Sequence, residues 1–202
     1  MLNLSKFMVW VGMLLLIVLS GCVEYSFSGT KRHGNYTTVS YSNHTSTVSW
    51  GFRDALVKAA KVWHDLGTDF HLFETIQNDT ANILYDHINA IYAGQFSQIG
   101  GLEDYVESLA LNCGWVDQNN NLLENDIIIN TTYTWSITDS CPNTAYDIQN
   151  CLTHEFGHSI CLDDIYEDES HWKTMYGYAY PGETGKRTLS QGDIDGINFV
   201  YP

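Results

Sequence analysis

Residues 151–164, Cys-Leu-Thr-His-Glu-Phe-Gly-His-Ser-Ile-Cys-Leu-Asp-Asp, constrain the fold more than any other stretch of the chain. His154 and His158 stand four residues apart, Glu155 follows the first of them, and Asp164 lies six residues beyond the second. On an α-helix, positions i and i+4 are about 40° apart around the axis. Both imidazoles then leave one face, a turn apart, and can grip a single metal ion. Glu155 is rotated about 100° from His154, so it flanks the ion without filling its coordination sphere. A carboxylate there is placed as a general base for water activated by the ion. Two histidines leave such a site one protein ligand short of the usual three. Asp164 supplies the third if the helix ends near Cys161 and the chain doubles back. Asp163 is the rival, one residue short in spacing. Taken alone, the pattern also fits two surface histidines on a helix, so the remaining residues decide the matter.

The N-terminus reads as a targeting segment. Lys6 forms a short basic region, and Phe7 to Leu19 is an apolar run broken only by Gly12. Such a run is short for a spanning helix and suits a signal sequence. Leu19-Ser20-Gly21-Cys22 follows and resembles the lipobox of prokaryotic lipoproteins, in which cleavage leaves Cys22 as the lipidated N-terminus. An ordinary signal peptide cut elsewhere, or an uncleaved anchor, is the alternative. The expected organisation is a lipoprotein signal peptide over 1–21, a polar tether over 22–38 and one domain over 39–202. That places the domain outside the cytoplasm, on the outer face of a prokaryotic membrane or secreted. The chain carries a net charge of −15, and removal of Lys6 with the signal makes it −16. So acidic a chain disfavours nucleic-acid binding.

Beyond Cys22 the cysteines are Cys113, Cys141, Cys151 and Cys161. An even number in an exported chain suggests two disulfide bonds. Cys151 and Cys161 cannot pair if both lie on one helix, where ten residues separate them by about 15 Å. Two connectivities survive, Cys113–Cys151 with Cys141–Cys161, or the preferred Cys141–Cys151 with Cys113–Cys161; free thiols are the alternative. Asn35, Asn43, Asn78 and Asn130 head Asn-x-Ser/Thr sequons, a pattern common by chance.

Along the chain, Val39 to Trp50 should hold a first strand. Phe52, Leu56, Ala59, Ala60, Trp63 and Leu66 are spaced as the apolar stripe of an amphipathic helix, which Gly67 ends. Phe70 to Ile76 and Ile83 to Ile88, extending toward Ile91, read as strands. A short helix is expected over 102–108 and an edge strand over Leu109 to Val116. Asp117-Gln118-Asn119-Asn120-Asn121 is a turn cluster, and Asn125 to Tyr133 the clearest β run. The helix bearing His154 should run from about Ala145 to Ser159, residues 165–188 should be irregular, and Ser190 should cap a last helix reaching Phe199.

These residues together resemble a known family. His154 to Asp164 is similar to the zinc signature of the metzincin metallopeptidases, H-E-x-x-H-x-x-G-x-x-H/D. Thr174-Met175-Tyr176 resembles their Met-turn, and Thr188 to Ile197 the C-terminal helix of the matrixin-like branch. Phe52 to Trp63 and Asn125 to Asn130 resemble the first helix and the strand before the active-site helix. The resemblance implies an α+β fold of the metzincin or zincin-like kind, a twisted five-stranded mostly parallel sheet with one antiparallel edge strand and three helices. It implies one catalytic Zn2+ on His154, His158 and Asp164, Glu155 as the catalytic base, and Met175 as a structural methionine beneath the metal. It further implies a zinc metalloendopeptidase whose peptide substrates add to the edge strand.

The chain departs from the pattern at two positions. Cys161 stands where the family has the glycine of the sharp turn, and Asp164 where a histidine is commoner. Tyr176, Tyr178 and Tyr180 could line the pocket or simply pack, and His171 could ligate or lie exposed in an acidic loop. Asp163, Asp164 and Glu167-Asp168-Glu169 could bind calcium (Ca2+). The expected protein is a monomeric zinc-dependent endopeptidase that hydrolyses extracytoplasmic proteins, held at the membrane through its lipid anchor. A catalytically silent surface binding module on the same fold is the alternative, motivated by Cys161.

Overall fold

The computed structural model describes residues 25–32, 38–44, 50–66, 71–76, 83 and 85–202. The signal segment, Cys22, Asn35 and Asn78 therefore lie outside the described residues. In chain order the elements are β1 (Ser26–Phe27), β2 (Lys31–Arg32), β3 (Thr38–His44), α1 (Trp50–His64), β4 (His71–Ile76), β5 (Asn89–Gly94), β6 (Ala110–Val116), β7 (Asn121–Asn130), β8 (Trp135–Ser136), β9 (Tyr146–Asp147), α2 (Ile148–Ser159), β10 (Leu162–Asp163) and α3 (Gln191–Val200). No described helix is long and apolar enough to cross a membrane.

The main sheet runs β2-β7-β5-β3-β4, with β6 also paired to β7. All of these pairings are parallel except β6 with β7. The five expected strands are thus β3 to β7, and β2 adds two residues as a sixth. Alternating side chains divide the sheet between two apolar layers. Ile91, Ile127 and Ile129 enter the core beneath α1 and α2, while Ala90, Tyr92 and Ile128 face Phe96 and Leu102 on the other side. Helix α1 buries the stripe Phe52, Leu56, Ala59, Ala60 and Trp63 against that first layer. Trp63 is fully buried, and its indole N–H donates to Thr153 O at 2.8 Å. One side chain therefore joins α1 to the middle of α2.

Several expectations shift. The third strand begins at Asn89, not Ile83, because residues 85–88 form a turn. The Asp86 carboxylate accepts from the Ile88 amide, and His87 takes a φ of +69°. The Glu124 carboxylate collects the Asp86 and His87 amides and holds that turn against β7. Helix α2 begins at Ile148, not Ala145, because Asp147 is its N-cap and accepts from the Asn150 amide. Residues 102–108 give only a single 3₁₀ turn, Glu103–Tyr105. Segment 22–38, expected as a tether, contains β1 and β2, which pair with β10 and β7.

The disulfide expectation is corrected: no disulfide joins Cys113, Cys141, Cys151 and Cys161, and all four are thiols. Cys151 and Cys161 are packed in the α2 core, Cys161 accepting from the Tyr201 hydroxyl, whereas the Cys141 thiol turns to Ala145 O.

Asp126 on β7 is buried, and this desolvation pushes its carboxyl up to about 8, with the charge of Glu124 adding to the rise and the Ala90 amide opposing it. A folded-state pKa above the unfolded one means that stability from this group is full below about pH 4 and drains away as pH rises toward 8. Asp126→Asn keeps the acceptor and removes the titration. Its melting temperature should exceed that of the wild type at pH 8.5, and the gap should narrow at pH 5, measured by thermal denaturation at both values.

Candidate metal centre

Helix α2 is fixed at both ends before any metal is considered. At its start, Asp147 receives the Arg187 guanidinium as a fork in addition to capping Asn150. At its end, the Ile160 and Cys161 amides fold back to Gly157 O and His158 O. Cys161 then takes a φ of +70°. A side chain in the left-handed region costs about 1–2 kcal/mol, so the turn the sequence requires is made without the glycine. Beyond it β10 runs back, and Asp164 returns to the histidine face.

There the His154 and His158 Nε2 atoms lie 3.2 Å apart. Asp164 Oδ1 is 3.2 Å from the first and 3.6 Å from the second. Ligands at about 2.0–2.1 Å around a tetrahedral ion stand about 3.3 Å from one another, so the three atoms fit three corners of such a site. Among the described residues this is the one group of three His, Cys, Asp or Glu ligand atoms that gathers within 4.8 Å. His171 and the 167–169 carboxylates do not join such a group. The His171 Nδ1 instead meets Asp168 O.

The ring orientations follow from backbone carbonyls. His154 Nδ1 meets Thr174 O at 2.8 Å and His158 Nδ1 meets Leu162 O at 2.9 Å. An Nδ1 that donates to a carbonyl leaves the Nε2 lone pair available to an ion. The two buried side-chain oxygens without a hydrogen-bond partner among the described residues are Asp164 Oδ1 and Glu155 Oε2. Both belong to this cluster, and orphaned buried oxygens are costly unless something else meets them. Asp163 does not join that group; its Oδ1 accepts from the Asp164 amide and closes the turn.

The electrostatics agree. Burial pushes the Glu155 carboxyl up, and the nearby His154 and His158 only partly offset it. Burial acts the same way on Asp164, but the His158 and His154 imidazoles and the Tyr166 hydroxyl outweigh it and hold its carboxyl well below the usual carboxylate range. Burial disfavours charge on His158, yet Asp164 and Glu155 draw its pKa up. The field among these side chains favours a cation.

Met175 packs against α2 at Gly157. A Cβ on Gly157 would come 2.2 Å from its sulfur and 3.1 Å from the Trp63 ring. The glycine in the middle of the motif is thus the gap through which the methionine approaches α2.

The matrixin family model matches residues 30–202. The chain belongs to the matrixin family. It is accordingly a zinc metalloendopeptidase. Among solved structures, the chain is similar to high choriolytic enzyme 1, a hatching enzyme zinc-protease of the medaka fish Oryzias latipes. The identity is 11% and the TM-score 0.41, over 85% of this chain and 92% of that one. No curated protein sequence matches the chain.

In this matrixin several supporting residues carry no motif and are visible only in three dimensions. The Tyr166 hydroxyl donates to Asp164 Oδ2 at 2.9 Å, leaving Oδ1 toward the histidines. The Asn112 amide on β6 donates to Glu155 O and Ser159 Oγ, tying the edge strand to α2. The Lys186 ammonium is buried and donates to Tyr176 O and Tyr178 O, bracing the segment after the Met-turn. Tyr176 itself is packed inside, while Tyr178 and Tyr180 are exposed.

Asp193, a first-turn acid of α3, completes a capping box with Ser190. It also accepts from the Thr174 and Met175 amides. One carboxylate thus joins the Met-turn to α3, and Thr174 is the residue whose carbonyl orients His154. Asp193→Ala should lower stability by about 2–4 kcal/mol, as expected when charge-assisted bonds are removed from buried amides. It should also weaken zinc binding. Thermal denaturation of the metal-free protein and chelator competition would measure the two effects separately.

Proposed function

We propose that His154, His158 and Asp164 hold the zinc ion and that Glu155 is the catalytic base of an endopeptidase acting on extracytoplasmic proteins. The observation that carries this reading is the triangle of Nε2, Nε2 and Oδ1 atoms with the unpartnered Glu155 Oε2 beside it. When bound there, zinc supplies a Lewis acid that polarises the scissile carbonyl and acidifies a water to a pKa of about 7.

The chain's own residues do the remainder. Carbonyls of Thr174 and Leu162 fix the imidazole tautomers. Tyr166 occupies one oxygen of Asp164. Burial raises the proton affinity of Glu155, so its carboxylate can take a proton from water and return it to the leaving amine. The Asn112 bond to Glu155 O sets the height of this residue relative to β6. Strand β6 pairs only with β7 among the described residues, so its outer edge is open to an extended peptide, which would add to the sheet by β-augmentation.

The lipobox-like Leu19 to Cys22 supports anchoring through Cys22 at the outer face of a prokaryotic membrane, where protein or peptide substrates would meet a monomeric enzyme. Glu155→Gln removes the base and keeps the shape. The variant should bind zinc as the wild type does and cleave a denatured protein substrate about 10²- to 10⁴-fold more slowly. Equal cleavage by both proteins would refute Glu155 as the base, and zinc lost along with cleavage would leave Glu155 structural.

A further inference from the structure

The left-handed turn at Cys161 is not held by α2 alone. The Ser28 amide and the Ser28 hydroxyl both donate to Cys161 O, at 3.2 and 3.1 Å. Immediately before Ser28, β1 pairs antiparallel with β10, Phe27 opposite Leu162 and Ser26 opposite Asp163. Four residues after Ser28, the Arg32 guanidinium donates to Ser159 O at 2.7 Å, and the Arg32 amide meets the hydroxyl of Tyr201, which in turn donates to the Cys161 sulfur. The Ser28 hydroxyl is itself tied to Thr30 at 2.7 Å. The far side of β1 is held in place by Phe27 and Tyr25, whose rings pack against Phe199 of α3.

We propose that Ser28 is a positioning residue of the metal centre, acting through the turn it grips. The carbonyl it binds belongs to the residue in the left-handed conformation, and the strand just before Ser28 pairs with the two residues that follow. Of these, Leu162 provides the carbonyl that orients His158, and Asp163 immediately precedes the ligand Asp164. Two of the three ligands are therefore one backbone link away from the N-terminal strand. A glycine at 161 would adopt this conformation without strain. With a cysteine there, the turn needs an external partner to stay closed, and Ser28 is that partner. Energetic coupling between two sites is reciprocal, so zinc binding must in turn protect the N-terminal strand.

This inference rests on the assignment of His154, His158 and Asp164 as the zinc site. The test measures zinc affinity by chelator competition in the full chain. Ser28→Pro, which removes both donors, should weaken binding about 10- to 100-fold, the usual effect of losing an outer partner of a metal ligand. Ser28→Ala, which removes only the hydroxyl, should weaken it less, and Ser28→Thr should match the wild type. In a Cys161→Gly background the Ser28→Pro loss should shrink to within about threefold, because the strain that the clamp opposes is gone. Hydrogen exchange of the wild type should show the amides of 26–28 slowing when zinc is added. Wild-type affinity in both Ser28→Pro and Ser28→Ala, a loss of equal size in the two backgrounds, or exchange at 26–28 that ignores zinc would each overturn the proposal. Should Ser28→Pro not fold, Ser28→Ala and the wild-type exchange decide it. A wild type that takes up no zinc would overturn the metal-site reading together with this one, whereas a zinc-binding wild type with indifferent Ser28 variants would remove only this one.

Discussion

The site depends on one reversal of the chain, the left-handed residue Cys161 between α2 and β10. Without it, α2 would present two histidines and a glutamate, and Asp164 would lie beyond reach. With it, Asp164 Oδ1 stands 3.2 Å from His154 Nε2, and three potential donor atoms face one another. The reversal runs against the intrinsic preference of an L-residue, so it persists because neighbouring structure fixes it. The Cys161 amide bonds inside the helix end, its carbonyl is taken by Ser28, and its thiol is buried against Tyr201. The departure from glycine therefore does not move Asp164 away from the histidines.

Around that reversal, backbone carbonyls and one carboxylate do most of the orienting. Thr174 O and Leu162 O come from two different segments, one in the Met-turn and one in β10, and each fixes an imidazole. Asp193 ties the first segment to α3, while the N-terminal strand β1 pairs with the second. Met175 fills the space left by Gly157 and seats the Met-turn against α2, where the Trp63 ring of α1 also approaches the glycine. The metal centre is thus the meeting point of α1, α2, α3 and the N-terminal strand rather than a property of one helix.

The parts legible in the sequence are those with a period or a fixed spacing. The stripe from Phe52 to Trp63, the Ile127-Ile128-Ile129 run, the Ser190 cap and the His154 to Asp164 spacing each constrain local geometry strongly enough to be read in one dimension. The strand expected at Ile83 is displaced because an apolar run does not reveal that Asp86 and Glu124 will capture its amides. The disulfides fail because parity and compartment say nothing of where a thiol packs: the Cys151 and Cys161 thiols are buried in the core. Asn112 and Ser28 escape because each acts across the fold on a backbone carbonyl, and Tyr166 and Lys186 because no motif marks their contacts with nearer residues. Spacing alone does not separate Asp163 from Asp164; the fold brings Asp164 Oδ1 to the histidines and turns Asp163 Oδ1 to the Asp164 amide.

If zinc is held as proposed, it sits between two imidazoles and one aspartate oxygen, with no thiol among its ligands. X-ray absorption at the zinc edge of the loaded protein tests this most directly. The account predicts one zinc per chain with only nitrogen and oxygen neighbours at about 2.0–2.2 Å, including the multiple scattering of two imidazoles. A sulfur neighbour at about 2.3 Å, or a shell unchanged when Asp164 is replaced by alanine, would contradict it.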